Sequence, residues 1–199
     1  MQLPPRGGHG VWRGCSNAEL QDLVQASERT GYYLMRDVVI GSPGDAVDLV
    51  AQQGDLWFHT DGVFLPRPPA WVVIQILAAE GGGDLHVMPS DPLLALVPSG
   101  LFRFGSAGRA IEAPIVGFAG VHYVFRYRRD YMQPVGDPSG FESFCEQMTA
   151  CATQHGQRLS SLGPGDCLVI DNWRLLHRRE AFKGRRVIRR LWFGSEPAL

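Results

Sequence analysis

Three residues of this 199-residue chain could together hold a metal ion. His59 and Asp61 stand two apart, just after the apolar stretch Leu56-Trp57-Phe58. His177 lies far downstream, at the end of Asp171-Asn172-Trp173-Arg174-Leu175-Leu176-His177. Two histidines and one carboxylate make a three-donor face that suits ferrous iron and leaves coordination positions open. On extended chain, residues i and i+2 point to the same side, so His59 and Asp61 can reach one ion together. Three donors on one octahedral face cannot all be strand neighbours, and His177 supplies the third if two sheets close over each other. A basic segment with Arg186, Arg189 and Arg190 follows. A guanidinium fork matches a carboxylate bidentately, so an arginine placed there could hold a dicarboxylic cosubstrate. The combination points to oxidative chemistry. His-x-Asp by itself is weak, because chance produces it and a surface turn explains it. His9, His86, His122 and His155 lack this context and read as loop, strand or surface residues, with His86 and His122 able to line a pocket.

These residues need a scaffold, and the pattern predicts one made mostly of strands. Residues 1–14 are rich in Gly and Pro and read as irregular. Ser16 or Asn17 can cap a helix running to about Thr30, with Leu20, Leu23, Val24 and Ala26 as its apolar stripe. A strand follows over residues 32–39, then a turn at Ser42-Pro43-Gly44 and a short helix over 45–52. The strand over 54–60 delivers the first metal motif, and 65–69, with two prolines, is a loop. Residues 70–79 are nearly all apolar, the mark of a strand buried on both faces; its one polar member, Gln75, needs a buried partner. Gly81-Gly82-Gly83 turns the chain into a strand over 85–88, and 91–96 makes a helical turn. Short strands over 101–104, 110–115 and 121–126 precede a helix over 138–154. The turn Gly163-Pro164-Gly165 leads into a strand over 166–170, and the last strand covers 185–193. Many short strands with few helices predict a mainly β fold, an antiparallel double-sheet barrel of the jelly-roll kind.

Bulk composition narrows the function classes. The chain is 45% hydrophobic and 20% charged, with a net charge of −1. Its length fits one domain spanning 1–199 with a substantial core. Near-zero charge offers no global field for nucleic acid or membrane, and no stretch approaches the ~20 apolar residues that span a bilayer. Cys15, Cys145, Cys151 and Cys167 show no metal or disulfide spacing and read as reduced thiols. With no recognisable signal peptide, the expectation is a cytoplasmic protein acting on a small molecule, its oligomeric state left open.

The segment from Gly165-Asp166-Cys167 through Asp171-Asn172-Trp173-Arg174 to His177, followed by Ala181-Phe182, Gly184 and the arginine strand, resembles the second half-site of the iron(II)/2-oxoglutarate dioxygenases. The similarity is to the branch with taurine dioxygenase, clavaminate synthase and gamma-butyrobetaine hydroxylase. It is strong over residues 54–90 and 163–193 and diffuse between them. The resemblance implies a double-stranded β-helix, the cupin-like form of the jelly roll. It also implies Fe(2+) on His59, Asp61 and His177, with 2-oxoglutarate as cosubstrate beside O2. The text Arg186-Val187-Ile188-Arg189-Arg190 is similar to the family's Arg-x-x-Arg-Arg, whose first arginine holds the distal carboxylate. That selects Arg186, with Arg190 nearer the iron and Arg189 as the alternative. Arg186, Ile188 and Arg190 share one strand face, and Arg185, Val187 and Arg189 the other. Where the family often carries a threonine after its Gly-Gly turn, this chain has Leu85; Gln75 or a tyrosine could replace that hydrogen bond. Phe64, Arg126 and Tyr127 are candidates for the substrate pocket, in a stretch that continues to Arg128. The implied activity is hydroxylation, desaturation or cyclisation at an unactivated C–H bond of a small polar molecule such as an amino acid or a secondary-metabolite intermediate. Succinate and CO2 are released. With Asp61 present, halogenation is not expected. Two alternatives stand beside this reading: a catalytically silent jelly-roll binding protein, and a zinc or manganese hydrolase using the same triad.

Overall fold

The fold is described from a computed structural model covering residues 1–41, 53–106, 108–136, 140–159 and 162–195. Its elements, in chain order, begin with β1 (His9–Trp12), α1 (Asn17–Arg29), β2 (Tyr33–Ile40), β3 (Leu56–His59), β4 (Trp71–Gly82) and β5 (Leu85–Pro89). Five short strands and a helix interrupt the middle: β6 (Phe102–Ser106), β7 (Arg109–Ala113), β8 (Val116–Ala119), β9 (His122–Phe125), β10 (Met132–Pro134) and α2 (Phe141–His155). The chain closes with β11 (Gln157–Leu159), β12 (Cys167–Asp171), β13 (Leu175–Arg179) and β14 (Phe182–Gly194).

Two antiparallel sheets form the barrel. The larger has the order β1-β12-β4-β14-β2 and the smaller β11-β5-β13-β3. A three-stranded sheet, β10-β6-β7, and the hairpin β8-β9 lie apart from them. β4 explains the larger sheet. Along it, Val72, Ile74 and Ile76 join a buried cluster with Leu85, Val87 and Leu175 of the smaller sheet. Alternate residues Trp71 and Val73 pack with Leu20 and Leu23 of α1. A strand covered on both faces must be apolar at every position, which is why the 70–79 run has no period of two. A third cluster joins Phe58, Met88 and Leu176 to Phe141, Phe144 and Met148 of α2, closing the outer face of the smaller sheet.

Local sequence fixes the helix start. Ser16 caps α1: its hydroxyl accepts from the Glu19 N–H, and the Glu19 carboxylate accepts from the Ser16 N–H. That reciprocal pair satisfies two of the otherwise unpaired donors of the first turn.

Several expected bounds shift. Part of the segment that reads as irregular, residues 9–12, is β1, pairing antiparallel with β12. The chain does not turn at Gly81, because β4 runs through Gly82; the reversal uses Gly82 and Gly83, both at positive φ. β8 is not visible in the sequence pattern, since Val116-Gly117-Phe118-Ala119 carries a glycine and no alternation. β13 falls within the basic run 174–190, whose alternation of basic and apolar residues reads as a strand lining a pocket, and four of its five residues are buried. The expected turn at 42–44 and helix at 45–52 lie outside the described residues.

Candidate metal centre

β3 and β13 pair antiparallel with His59 directly opposite His177. Their rings sit 4.3 Å apart, centroid to centroid. The next register pair is Leu56 opposite Arg179, so β3 carries one residue more than β13 over this interval. Such a bulge re-aims side chains, and it lets Leu56 and His59 face the same cavity. On β13, Leu175, His177 and Arg179 alternate with Leu176, which turns toward α2. β3 ends at His59, so Asp61 reaches the histidines from a turn and not from the extended strand expected for it.

That turn is held from two sides. The Asp61 N–H donates to the Asn172 side-chain oxygen at 2.7 Å, and the Asn172 amide donates back to the carbonyls of Asp61 and Pro69 at 3.1 and 2.9 Å. The Thr60 N–H donates to the Tyr127 carbonyl, and the Tyr127 N–H to the Thr60 hydroxyl. Asn172 is itself fixed by the turn after β12, where Asp171 accepts from Arg6, the Gly7 N–H and the Trp173 N–H. The Asp-Asn pair of the sequence motif is therefore a clamp on Asp61.

One donor atom from each of His59, Asp61 and His177 lies within 4.8 Å of the others, and all three residues are buried. The His59 Nδ1–H donates to the Trp57 carbonyl at 2.8 Å. That bond fixes the tautomer and leaves Nε2 with a lone pair, buried and without a hydrogen-bond partner. Burial, reinforced by His177, holds the His59 pKa well below its ordinary value. Burial also lowers His177, to about 4. Both rings are thus neutral at pH 7, the form that donates to a metal. For Asp61, burial alone would raise the pKa, but Arg190 leads a group of neighbours that holds it well below the usual carboxylate range. Arg190 donates to one Asp61 oxygen at 3.2 Å and the Trp192 indole N–H to the other at 2.9 Å. A carboxylate oxygen accepts more than one bond, so both contacts orient Asp61 and leave it able to coordinate. Neutral imidazoles with an orphaned lone pair beside an anionic carboxylate fit a divalent cation.

The cavity over this cluster is lined by Leu56, Ile74, Leu85, Ile188 and three arginines: Arg179, Arg186 and Arg190. Arg186 is 7% exposed and has no hydrogen bond or ion pair among the described residues. Burial, with Arg179 nearby, lowers its pKa to about 10. A charged group is buried in this way at a cost unless something pairs with it, and a carboxylate entering the cavity would do so. Leu85, at the family's threonine position, offers only hydrocarbon there. Beside Asp61 opens a second cavity of about 320 Å³, whose lining includes Phe64, Arg36, Arg128, Tyr131, Arg190 and Trp192.

Other candidates fall elsewhere. Arg189 points out of the barrel and pairs with both oxygens of Asp37 at 2.9 and 2.6 Å. Gln75 lies on the α1 side of β4, where its amide donates to the Cys15 carbonyl, so it finds a buried partner but cannot reach a cosubstrate. Arg126 braces the loop after the metal motif, donating to the carbonyls of Val63, Leu65 and Pro66. The Tyr127 ring is core, edge-on to Phe144, and neither it nor Arg126 lines the second cavity. His86 bonds Glu180. Sequence reading alone gives no role to the Asn172 side chain or to Trp192. A polar asparagine directly after an apolar strand is the available signal for the first, and alternation with Arg190 for the second.

Residues 117–192 match the model of the family described as Taurine catabolism dioxygenase TauD, TfdA family. Over that span the chain resembles the family. The match takes in the middle region, over which the sequence resemblance is diffuse, and stops short of His59 and Asp61. Among solved structures, the chain is similar to asparagine oxygenase in complex with Fe(II), 2S,3S-3-hydroxyasparagine and succinate. There the TM-score is 0.62 at 20% identity, over 78% of this chain and 55% of that one. It is also similar to a mutant of the non-heme iron oxygenase OrfP in complex with (3S)-hydroxy-L-Arg, with a TM-score of 0.62 at 16% identity, over 81% of this chain and 56% of the other. OrfP in complex with Fe and alpha-ketoglutaric acid gives 0.59 at 15% identity, over 80% and 57%. The chain thus spans a little over half the length of these structures. No curated protein sequence matches it. Among the described residues, no helix is long and apolar enough to cross a membrane.

Proposed function

We propose that this chain is an iron(II)- and 2-oxoglutarate-dependent oxygenase that oxidises, by hydroxylation in the first instance, an unactivated C–H bond of a small polar molecule, with release of succinate and CO2. The observation that carries the reading is Arg186: a buried cation with no acid among the described residues, opening into the same cavity as two neutral histidines. A hydrolase using the same triad would leave that arginine without a role.

His59, Asp61 and His177 would hold the iron. Arg186 would take the distal carboxylate of 2-oxoglutarate, where charge-assisted bonds to an arginine are about twice as strong as neutral ones. Bound together, iron and 2-oxoglutarate would supply the oxidising power, and the protein supplies orientation and dryness. Asn172 fixes the backbone of Asp61, while Arg190 and Trp192 fix its carboxylate. Leu56, Ile74, Leu85 and Ile188, which line the cavity, would keep water from the cosubstrate.

The test is anaerobic. Apoprotein is mixed with iron(II), then with 2-oxoglutarate, and the visible spectrum is recorded. A weak charge-transfer band that needs both additions is expected. Tight iron binding with no band on adding 2-oxoglutarate would sink the oxygenase reading.

A further inference from the structure

The second cavity beside Asp61 carries a charge imbalance. Three guanidinium groups line it, from Arg36, Arg128 and Arg190, against a single carboxylate, that of Asp61. This is a surplus of two positive charges among the described residues. The carboxylate is already engaged by Arg190 and Trp192. The guanidinium groups of Arg36 and Arg128 have no hydrogen bond or ion pair among the described residues, and the Arg128 Nε is buried without a partner.

Aromatic faces hold these cations in place. Arg36 lies 5.1 Å from the Trp192 ring, Arg190 5.1 Å from the same ring, and Arg128 4.4 Å from that of Tyr131. Stacking of a guanidinium uses its flat face and leaves the N–H edge to bond something else. A volume of about 320 Å³ suits a small molecule.

The same lining excludes one class of ligand. A free ammonium group needs an acceptor, preferably an anion, when it leaves water. Asp61 is the one carboxylate lining the cavity among the described residues, and its oxygens face the iron cluster, Arg190 and Trp192. An amino acid would bring its ammonium into a field of three arginines.

We infer that this cavity accepts a small dianion, with two carboxylates and no free ammonium, gripped by Arg36 and Arg128. Resting on the oxygenase reading, that dianion is the substrate. This departs from the hydroxyasparagine and hydroxyarginine bound by the structural neighbours.

The experiment uses the whole protein with iron(II) and saturating 2-oxoglutarate under anaerobic conditions. The charge-transfer band is recorded first, and N-acetyl-L-aspartate, L-aspartate and L-asparagine are then titrated by calorimetry. N-acetyl-L-aspartate is expected to bind at least about tenfold more tightly than L-asparagine, in line with the energy of one charged hydrogen bond. Arg36→Gln and Arg128→Gln should each remove most of that preference while leaving 2-oxoglutarate binding unchanged. Neither substitution breaks an ion pair between described residues, and Arg36 is exposed on β2. Equal or tighter binding of L-asparagine, or a dianion affinity indifferent to both substitutions, overturns the inference. A band without dianion preference overturns it too, and leaves the oxygenase reading standing alone. Dianion binding that depends on Arg128, with no band, upholds the anion site and removes the oxygenase reading.

Discussion

Replacing Arg186 with methionine should strengthen the protein and disable it in the same step. Arg186 is 7% exposed, and its burial lowers its pKa by more than two units, to about 10. One pKa unit corresponds to about 1.4 kcal/mol, so holding this cation charged in the folded state costs on the order of 3 kcal/mol. The sign follows from proton binding. The unfolded chain holds the proton more tightly, so the penalty applies at every pH below about 10. Arg186→Met removes the charge, with the contact of its guanidinium over the Phe182 ring, and keeps much of the side-chain hydrocarbon. Losing part of the packing offsets some of the gain, leaving a net stabilisation of about 2 kcal/mol in apoprotein. Urea unfolding near pH 7, without iron or 2-oxoglutarate, measures this as a higher midpoint at unchanged slope. The opposite effect is expected for the cosubstrate. Two charged hydrogen bonds at about 1.5–3 kcal/mol each predict 2-oxoglutarate binding weaker by at least a hundredfold. If the variant apoprotein were less stable by about 1 kcal/mol or more, and 2-oxoglutarate bound as before, Arg186 would be a structural residue and not a cation waiting for a carboxylate.

Two further outcomes follow from the same cluster. Asn172→Ala strands the buried Asp61 N–H and takes a donor from two carbonyls. It should cost about 2–4 kcal/mol of stability and weaken metal affinity roughly tenfold to a hundredfold, as read by unfolding of apoprotein and by competition with a chelator of known affinity. Metal-free protein should also lose stability as pH falls from about 6.5 to about 4. The folded His177 resists protonation down to about 4 while the unfolded one accepts a proton near 6.5. The His177 share is on the order of 3 kcal/mol, visible as a falling urea midpoint between pH 7 and 4; His177→Gln should remove that share and leave the His59 contribution.

Strand and helix types are legible wherever packing is periodic or capped. Ser16 and Glu19 announce α1, and the unbroken apolar run of β4 announces a strand with both faces covered. The metal cluster is legible as residue types, because two histidines and an aspartate at that spacing have few ordinary uses together. Its geometry is not. The bulge that aims His59 is a property of two strands far apart in sequence, and no local pattern encodes it. Arg186 and Arg189 look alike in sequence; only the partner decides, since Asp37 on β2 claims one and leaves the other to the cavity. Gln75 misleads for the opposite reason. Its buried polar group suggests a ligand, but the Cys15 carbonyl on the other face satisfies its amide.

The position of β14 governs when the protein can assemble. It lies between β4 and β2 in the larger sheet and pairs with both. During synthesis β2 and β4 emerge early, yet β4 has no sheet neighbour until β12 arrives, and β2 none until residues 182–194 arrive. β3 likewise waits for β13 before His59 meets His177. Pairings between distant parts of a chain fold slowly, because the entropy of loop closure comes before the contacts that repay it. The nascent chain must therefore carry the apolar β4 unpaired until β12 arrives, and His59 cannot meet His177 before β13 is made. A metal held by His59, Asp61 and His177 could not template this fold before β13 is made, and a chain cut before β14 loses the strand between β4 and β2 together with Arg186.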